Sequence, residues 1–260
     1  MRSLTALPVH NEADYVTSVL DGASRYSDDV LVVDDGSTDG TSELLAARAD
    51  IHLLTHPRNR GYGAALRSAF EFAVQNDYDV LVTIDCDGQH QPRMIPQFVE
   101  VARRADVVSG SRYLRTFSGD SEPPAQRRHI NRIITAEVNR RLGLELTDAF
   151  CGFKAYRVDA LRDLPLTEDG YAMPLEFWVR AVERGLSIVE LPVPLIYLDD
   201  ERSFGGSLDD GGARLKVYRD VLDRAIADTQ PTGCPALTSD WPVTCVCGSC
   251  CPGDPYCREQ

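Results

Sequence analysis

From Leu4 to Ser111 the chain alternates, several times over, between a short β-branched run and an amphipathic stretch of helical period. The spacing predicts strands at Leu4–Pro8, Val30–Asp34, Ile51–Thr55, Val80–Asp85 and Asp106–Gly110. Helices are predicted between them at Asp14–Arg25, Thr41–Ala49, Gly61–Gln75 and Pro92–Arg104. Strands that return through helices of this length pair in parallel, because a tight turn only brings a chain back antiparallel. Such a sheet is covered on both faces, which is why its strands read as nearly continuous apolar runs. The expected fold class is therefore α/β, a mostly parallel central sheet flanked by helices. In sheets of this kind ligands sit outside the carboxyl ends of the strands.

Polar residues gather at those ends. The first strand runs into Pro8-Val-His-Asn-Glu12 and the second into Asp34-Asp-Gly-Ser-Thr-Asp-Gly40. The fourth ends in Asp85-Cys-Asp-Gly-Gln-His90 and the fifth in Gly110-Ser-Arg-Tyr113. Each alone is ordinary turn chemistry, and Asp39 reads equally well as a helix cap. Their joint placement on one sheet edge marks a site. Asp85 and Asp87 are one residue apart, so in continued strand geometry both carboxylates face one spot. There they repel unless a cation lies beside them. With the Gln89 amide they form an oxygen donor set suited to Mg²⁺ or Mn²⁺, ions that keep positions open for phosphate oxygens. Fixed cations aimed at a departing diphosphate lower its barrier. Arg112, Arg127 or Arg128, and Arg202 are the candidates, the last in a glycine-rich loop, Asp199 to Ser207. There is no Gly-x-x-x-x-Gly-Lys-Ser/Thr, which excludes a P-loop nucleotidase. Gly61-Tyr-Gly63 lacks the third glycine of a dinucleotide fingerprint and reads as close packing of a helix on the sheet.

The length of 260 residues suffices for one large domain with a substantial core. Net charge is −13, which argues against a nucleic-acid partner. Within that acidic chain, residues 112–141 hold seven arginines against three acids, either a solvated face or a site for something anionic. Cysteines divide the chain. Cys86 and Cys151 are alone in the first 233 residues, as suits a reducing compartment, while six crowd the last 27. The expected organisation is one domain over 1–228 and a poorly ordered Cys-rich tail over 229–260, with a small zinc or disulfide knot as the alternative. No apolar run reaches the ~18–20 residues of a membrane span, and Pro8, His10 and Asn11 come too early for a signal-peptide core. The expected location is cytoplasmic. Ala125–Leu142 reads as an amphipathic helix with Ile130, Ile133, Ile134, Val138 and Leu142 on one side and arginines on the rest. Its apolar side either packs on the domain or lies on an anionic membrane, making 125–142 a peripheral contact.

Taken in order, Pro8-x-x-Asn-Glu12, Val32-Val-Asp-Asp-Gly-Ser-Thr-Asp39, Asn59-x-Gly-x-Gly63, Asp85-x-Asp-Gly-Gln-His90 and Gly110-Ser-Arg-Tyr113 resemble the family-2 glycosyltransferases, whose sheet is the GT-A fold. The resemblance covers roughly residues 3–220. With Asp148-Ala-Phe-Cys-Gly-Phe-Lys154, it is most similar to the dolichyl- or polyprenyl-phosphate mannosyltransferases. That resemblance implies metal-dependent, inverting transfer of a hexose from a nucleotide-diphosphate sugar, of GDP-mannose or UDP-glucose type, to a lipid phosphate. It implies nucleotide contacts at Pro8, Glu12 and Asp35, and metal ligands at Asp87 and Gln89. Asp85 would be a ligand or a ribose contact. Arg112, one of Arg127 and Arg128, and Arg202 would grip phosphates, with Ser207 beside the substrate and Asp87, Arg112 and Arg202 as the catalytic set. Where that group carries Arg-x-x-Gly-x-Ser-Lys, this chain reads Arg202-Ser-Phe-Gly-Gly-Ser-Leu-Asp-Asp210. Aspartates replace a basic residue there, which leaves the acceptor open.

A phosphate monoester, with its second pKa near ~6, is already an anionic nucleophile at neutral pH. A hydroxyl acceptor needs a general base. Glu176, on an expected helix Pro174–Arg184, is the candidate, a buried ion pair with an arginine being its other reading. Thr167-Glu-Asp169 resembles a motif of processive polysaccharide synthases, but their Gln-x-x-Arg-Trp is absent, and Glu168 and Asp169 read as a solvated loop. Hydroxyl transfer is thus the alternative activity. A nucleotidyltransferase is disfavoured by the lack of a Gly-rich, lysine-bearing signature at the first strand. An idle nucleotide-sugar binding module is disfavoured by the intact Asp85, Asp87, Gln89 and Arg112.

Overall fold

The computed structural model describes residues 1–198 and 206–229. Arg202, the side chain of Ser207 and the Cys-rich segment from residue 230 onward lie outside the described residues. Five strands and four helices alternate through the first half: β1 (Ser3–Val9), α1 (Val16–Ala23), β2 (Asp29–Asp34), α2 (Thr41–Ala46), β3 (His52–Thr55), α3 (Tyr62–Gln75), β4 (Val80–Thr83), α4 (Ile95–Val101) and β5 (Val107–Ser111). Then follow α5 (Ala125–Leu142), β6 (Lys154–Arg157), α6 (Val158–Leu161), α7 (Met173–Glu183), β7 (Ile188–Pro192) and α8 (Gly211–Asp228). Among the described residues the strands form one sheet in the order β3-β2-β1-β4-β6-β5-β7.

The parallel pairing expected for β1 to β4 is present, with Thr5 opposite Val30 on one side and Val82 on the other. Because each strand is covered on both faces, alternate residues feed two cores. Leu4, Ala6, Leu31, Val33 and Leu81 face α3, α7 and α8, whereas Leu7, Val9, Val30, Val32, Val80 and Val82 face α1 and α4. Full burial of such a side chain contributes about 1.5–3 kcal/mol, which these strands collect on both sides.

Three sequence expectations change. β6 has no counterpart among the predicted strands; Lys154-Ala-Tyr-Arg157 is too short to show a period, yet it runs antiparallel between β4 and β5. The helix expected over 92–104 breaks into a 3₁₀ turn at Pro92–Met94 followed by α4. Pro96 is the reason, since it has no N–H to donate to the carbonyl four residues back. Finally, the apolar stripe of α5 does not face outward. Ile130, Ile134, Val138 and Leu142 are buried with Tyr218, Val221, Leu222 and Ala225 of α8, and Ile133 is half-buried. Membrane contact through that stripe is therefore ruled out: α8 supplies the apolar partner that the sequence left unassigned. Arg128, Arg132 and Arg140 are exposed on the opposite side. Among the described residues no helix is long and apolar enough to cross a membrane.

Candidate active site

A cleft of about 740 Å³ opens at the carboxyl ends of β1, β2, β4 and β5. Pro8, Glu12, Asp35, Asp85, Asp87, Gln89, Arg112 and Arg127 all line it, drawn together from four loops and α5. Arg128 does not; it is exposed, with its guanidinium 6.0 Å from the Tyr113 ring.

At one end Asp35 is buried, and its carboxylate organises a loop. Oδ1 accepts the Arg60 N–H at 2.9 Å and bonds His56 Nδ1 at 2.6 Å, while Oδ2 accepts the Gly61 N–H at 2.7 Å. The 58–61 loop comes so close that a Cβ on Gly36, whose φ is +68°, would stand 2.7 Å from Asn59 N. Glu12 is held from the other side, its N–H donating to Thr41 Oγ1 at 2.9 Å. Asp39 anchors that threonine, its Oδ1 accepting both the Thr41 N–H and hydroxyl. Burial opposes ionisation of Asp39, but the bonds from Thr41 and Ala13 prevail and hold its pKa below the ordinary value. The helix-cap reading of Asp39 thus understates it: it ties the start of α2 to the loop carrying Glu12.

Asp85 follows β4 by two residues, because the strand ends at Thr83, whose hydroxyl donates to the Gly152 carbonyl. The strand does not carry the two aspartates, yet both line the cleft. Asp85 Oδ1 accepts the Tyr62 hydroxyl at 3.0 Å and Oδ2 bonds His90 Nε2 at 3.1 Å. Desolvation pushes the Asp85 pKa up, but His90, Tyr62 and the Lys154 charge together bring it below the ordinary value. Asp87 Oδ1 accepts the Gln89 N–H at 3.0 Å, closing a turn that brings the Gln89 side chain into the cleft. Two carboxylates and an amide oxygen fit Mg²⁺ or Mn²⁺, ions commonly held by one or two carboxylates with substrate phosphates completing the shell. Among the described residues no group of three or more His, Cys, Asp or Glu is placed to hold a metal ion by itself, so substrate phosphates and the Gln89 amide would have to complete the shell.

Across the cleft, Arg112 is fixed by Asp148. Nε donates to Oδ2 at 2.6 Å and Nη2 to Oδ1 at 3.0 Å. Asn131 of α5 donates to the same Oδ1 at 2.8 Å, and Glu190 of β7 accepts the Thr147 and Asp148 N–H groups. Burial raises the pKa of Asp148, but Arg112, the Asn131 amide and the Phe150 N–H outweigh it and bring it down to about 2. Behind the pair, burial drives the Cys151 thiol up to about 12, so it stays protonated. Lys154 is buried over the Trp178 ring at 5.4 Å with Nζ donating to the Cys151 carbonyl.

Tyr62, His90 and Asp148 are site residues that sequence reasoning did not single out. All three lay inside motifs already noted, but nothing local pairs Asp148 with Arg112. Glu176 fits neither of its readings. It is buried on α7, where Oε2 accepts the Thr167 and Glu168 N–H groups at 2.9 and 2.7 Å and Oε1 accepts the Thr167 hydroxyl. The loop it secures is not simply solvated. Glu168 pairs with Arg224 at 3.0 Å and Asp169 with Arg67 at 2.5 Å. Gly61 and Gly63 pack against the carbonyls of Asp169 and Glu168 in this loop, rather than against the sheet.

The fold and the strand-end cleft define a glycosyltransferase of the GT-A type. The chain belongs to glycosyl transferase family 2, whose model matches residues 5–165. It is 38% identical to an undecaprenyl-phosphate mannosyltransferase of Micrococcus luteus over 223 residues, 82% of this chain and 89% of that one. It is 31% identical to a polyprenol monophosphomannose synthase of Mycolicibacterium smegmatis, over 86% of this chain and 90% of that one. Among solved structures, glucosyl-3-phosphoglycerate synthase of Mycobacterium tuberculosis in complex with UDP superposes with a TM-score of 0.66 at 22% identity. That match covers 86% of this chain and 79% of the other. The same enzyme has been solved with Mn²⁺ and UDP, at a TM-score of 0.65.

Proposed function

We propose that this glycosyltransferase moves a hexose from a nucleotide-diphosphate sugar, of GDP-mannose or UDP-glucose type, to the phosphate of a polyprenyl lipid, with inversion at the anomeric carbon. The observation that carries the reading is the meeting of Asp85, Asp87 and Gln89 with Arg112 and Arg127 in one cleft. A divalent cation held by Asp85, Asp87 and Gln89 would offset the charge of the diphosphate as it leaves. Pro8, Glu12 and Asp35 shape the nucleotide end, and the bonds of Asp35 to the 58–61 loop set its width. Arg112, locked by a bidentate pair with Asp148 that offsets much of its charge, presents a guanidinium that needs no reorganisation when the glycosidic bond breaks.

An acceptor phosphate oxygen attacks the anomeric carbon from the face opposite the diphosphate. The new C–O bond forms as the old one breaks, and the leaving diphosphate keeps the electron pair. The nucleophile is an anion, so no proton is moved. The engagement of Glu176 with three backbone and hydroxyl donors of 167–168 supports this base-free route, as do relatives that act on undecaprenyl phosphate or make polyprenol monophosphomannose.

The test is a panel of labelled GDP-mannose, UDP-glucose and UDP-N-acetylglucosamine with a prenyl monophosphate and Mg²⁺ or Mn²⁺. Label entering the organic phase only when prenyl phosphate is present is the expected result, and transfer to a soluble hydroxyl instead overturns it. The surface proposed to meet the bilayer is the outer side of α5, where Arg128 and Arg132 are exposed. Sedimentation with anionic but not neutral vesicles checks that assignment.

A further inference from the structure

The Arg112–Asp148 pair is itself held from outside the cleft. Glu190 stands on β7, an edge strand, opposite Ser109 of β5. Edge strands commonly carry charge that discourages pairing with other chains. This carboxylate instead engages the loop that carries Asp148. Oε1 accepts the Thr147 and Asp148 N–H groups at 3.0 and 3.1 Å, and Oε2 accepts the Thr147 hydroxyl at 2.8 Å.

The Thr147 hydroxyl proton is thereby committed, which fixes the direction of the next bond. Ser111 Oγ is hydrogen-bonded to Thr147 Oγ1, so Ser111 is the donor. Ser111 Oγ in turn accepts the Tyr113 N–H at 3.2 Å and the Leu114 N–H at 3.1 Å. One carboxylate thus orders two loops. It grips the backbone at 147–148 directly, and through the hydroxyls of Thr147 and Ser111 it reaches the backbone at 113–114. The Arg112–Asp148 pair lies between these two grips, and the Arg112 N–H adds a bond of 3.3 Å to Asp148 Oδ2.

Fold stability does not account for a charge at this position. Burial raises the Glu190 pKa and the Asp148 charge adds to the rise, against the bonds from Thr147 and Asp148. A raised carboxyl pKa means that folding disfavours the ionised form. A glutamine has the same shape without that penalty, but it cannot give the relay its direction. With its NH2 in place of Oε2 it would donate to Thr147 Oγ1, and the threonine proton would turn to Ser111. Ser111 Oγ, with two lone pairs, would then face three donors, and one N–H at 113–114 would lose its acceptor. The flipped amide would point its NH2 at the Asp148 N–H instead.

We infer that Glu190 is a positioning residue for sugar transfer: through Thr147 and Ser111 it sets the two loops that aim Arg112 at the departing diphosphate. The inference rests on the reading above that Arg112 meets the diphosphate, and on the hydrogen-bond relay alone for the hold on Arg112. It gives β7, none of whose residues lines the cleft, a part in turnover.

The test compares Glu190→Gln and Arg112→Gln with the unaltered full chain. Turnover is read as kcat and KM for the nucleotide sugars of the panel above, with prenyl monophosphate and Mn²⁺. The Arg112 Nε–H is read by proton exchange in isotope-labelled protein, its signal assigned by its loss in Arg112→Gln. Glu190→Gln is expected to unfold in urea close to wild type and to exchange at Arg112 Nε roughly tenfold faster or more. Its kcat should fall roughly tenfold, with a smaller change in KM. A role confined to stability would move the urea midpoint and leave kcat. Unchanged exchange overturns the inference, as does a kcat lost in Arg112→Gln but kept in Glu190→Gln. Faster exchange with kcat kept in both variants upholds the hold of Glu190 on Arg112 and overturns the diphosphate reading instead. Thr147→Val, at an exposed position, cuts the relay while leaving Glu190 its backbone bonds. It gives the same readouts should Glu190→Gln fail to fold.

Discussion

Arg112 and Asp148 form a bidentate ion pair across 36 residues of sequence, with Nε and Oδ2 2.6 Å apart and the carboxylate fully buried. The pair joins the end of β5 to the loop entering β6 and, through Asn131, to α5. A buried pair is a poor guarantee of net stability, but losing one partner strands a charge in a dry place. Asp148→Asn is expected to cost about 3–5 kcal/mol in urea unfolding. It should also lower turnover by freeing Arg112 to move.

The same carboxylate predicts a pH dependence. Its pKa is lowered by folding from 3.8 to about 2, so the stabilisation is complete above pH 3.8 and is lost as pH falls from there through about 2. The contribution is about 2 kcal/mol, and it belongs to the pair as a whole rather than to each partner separately. Acid unfolding curves of wild type and Asp148→Asn should draw closer by about that amount over that window. Parallel curves would refute the assignment.

Asp87→Asn should abolish turnover and metal-dependent nucleotide binding while leaving the unfolding midpoint close to that of wild type. Asp87 stands at a turn on the cleft rather than in either core, and its backbone-facing bond to Gln89 survives in an amide. Calorimetric titration of nucleotide with and without Mn²⁺ reads this directly.

Gly63→Ala tests how the 168–170 loop is seated. A Cβ there would meet the Glu168 carbonyl and stand 2.8 Å from Met173 Cβ, neither of which can swing aside freely. A loss of roughly 1–3 kcal/mol is expected. Because Tyr171 stacks on Tyr62 at 5.6 Å, displacement of the loop should also disturb the Asp85 side of the cleft.

Glu176→Gln separates a turn fastener from a catalytic base. Oε2 alone accepts both backbone N–H groups, so the amide oxygen of a glutamine can keep them while its NH2 donates to the Thr167 hydroxyl. The loss of charge assistance should cost only about 1 kcal/mol of stability. On a phosphate acceptor kcat should hold. A collapse of kcat in a stably folded variant would mean that a hydroxyl is the true nucleophile.

The half of the molecule that builds the diphosphate end was largely legible in the chain. The strand runs of β1, β2 and β4 are apolar because both faces are covered, and their terminal polar residues fall at one edge by topology alone. Pro8, Glu12, Asp35, Asp85, Asp87, Gln89 and Arg112 reached the cleft as that logic requires. The other half was not legible in the same way. β6 is too short for periodicity, and Glu176 and Arg214 resemble any charged residue on a helix. The choice between Arg127 and Arg128 turns on the rotation of α5, which its mixed polar and apolar sequence leaves undefined.

Local order in the amino acids determined which segments are strands, which are helices, and which carboxylates stand at strand ends, because period and turn chemistry act over a few neighbouring residues. Tertiary structure alone decided that α8 covers the isoleucines of α5, that Asp148 meets Arg112, and that Arg214 meets Gln126 across 88 positions. Those contacts depend on how distant surfaces fit and on which buried charges find partners, and neither property is written in any short stretch of chain.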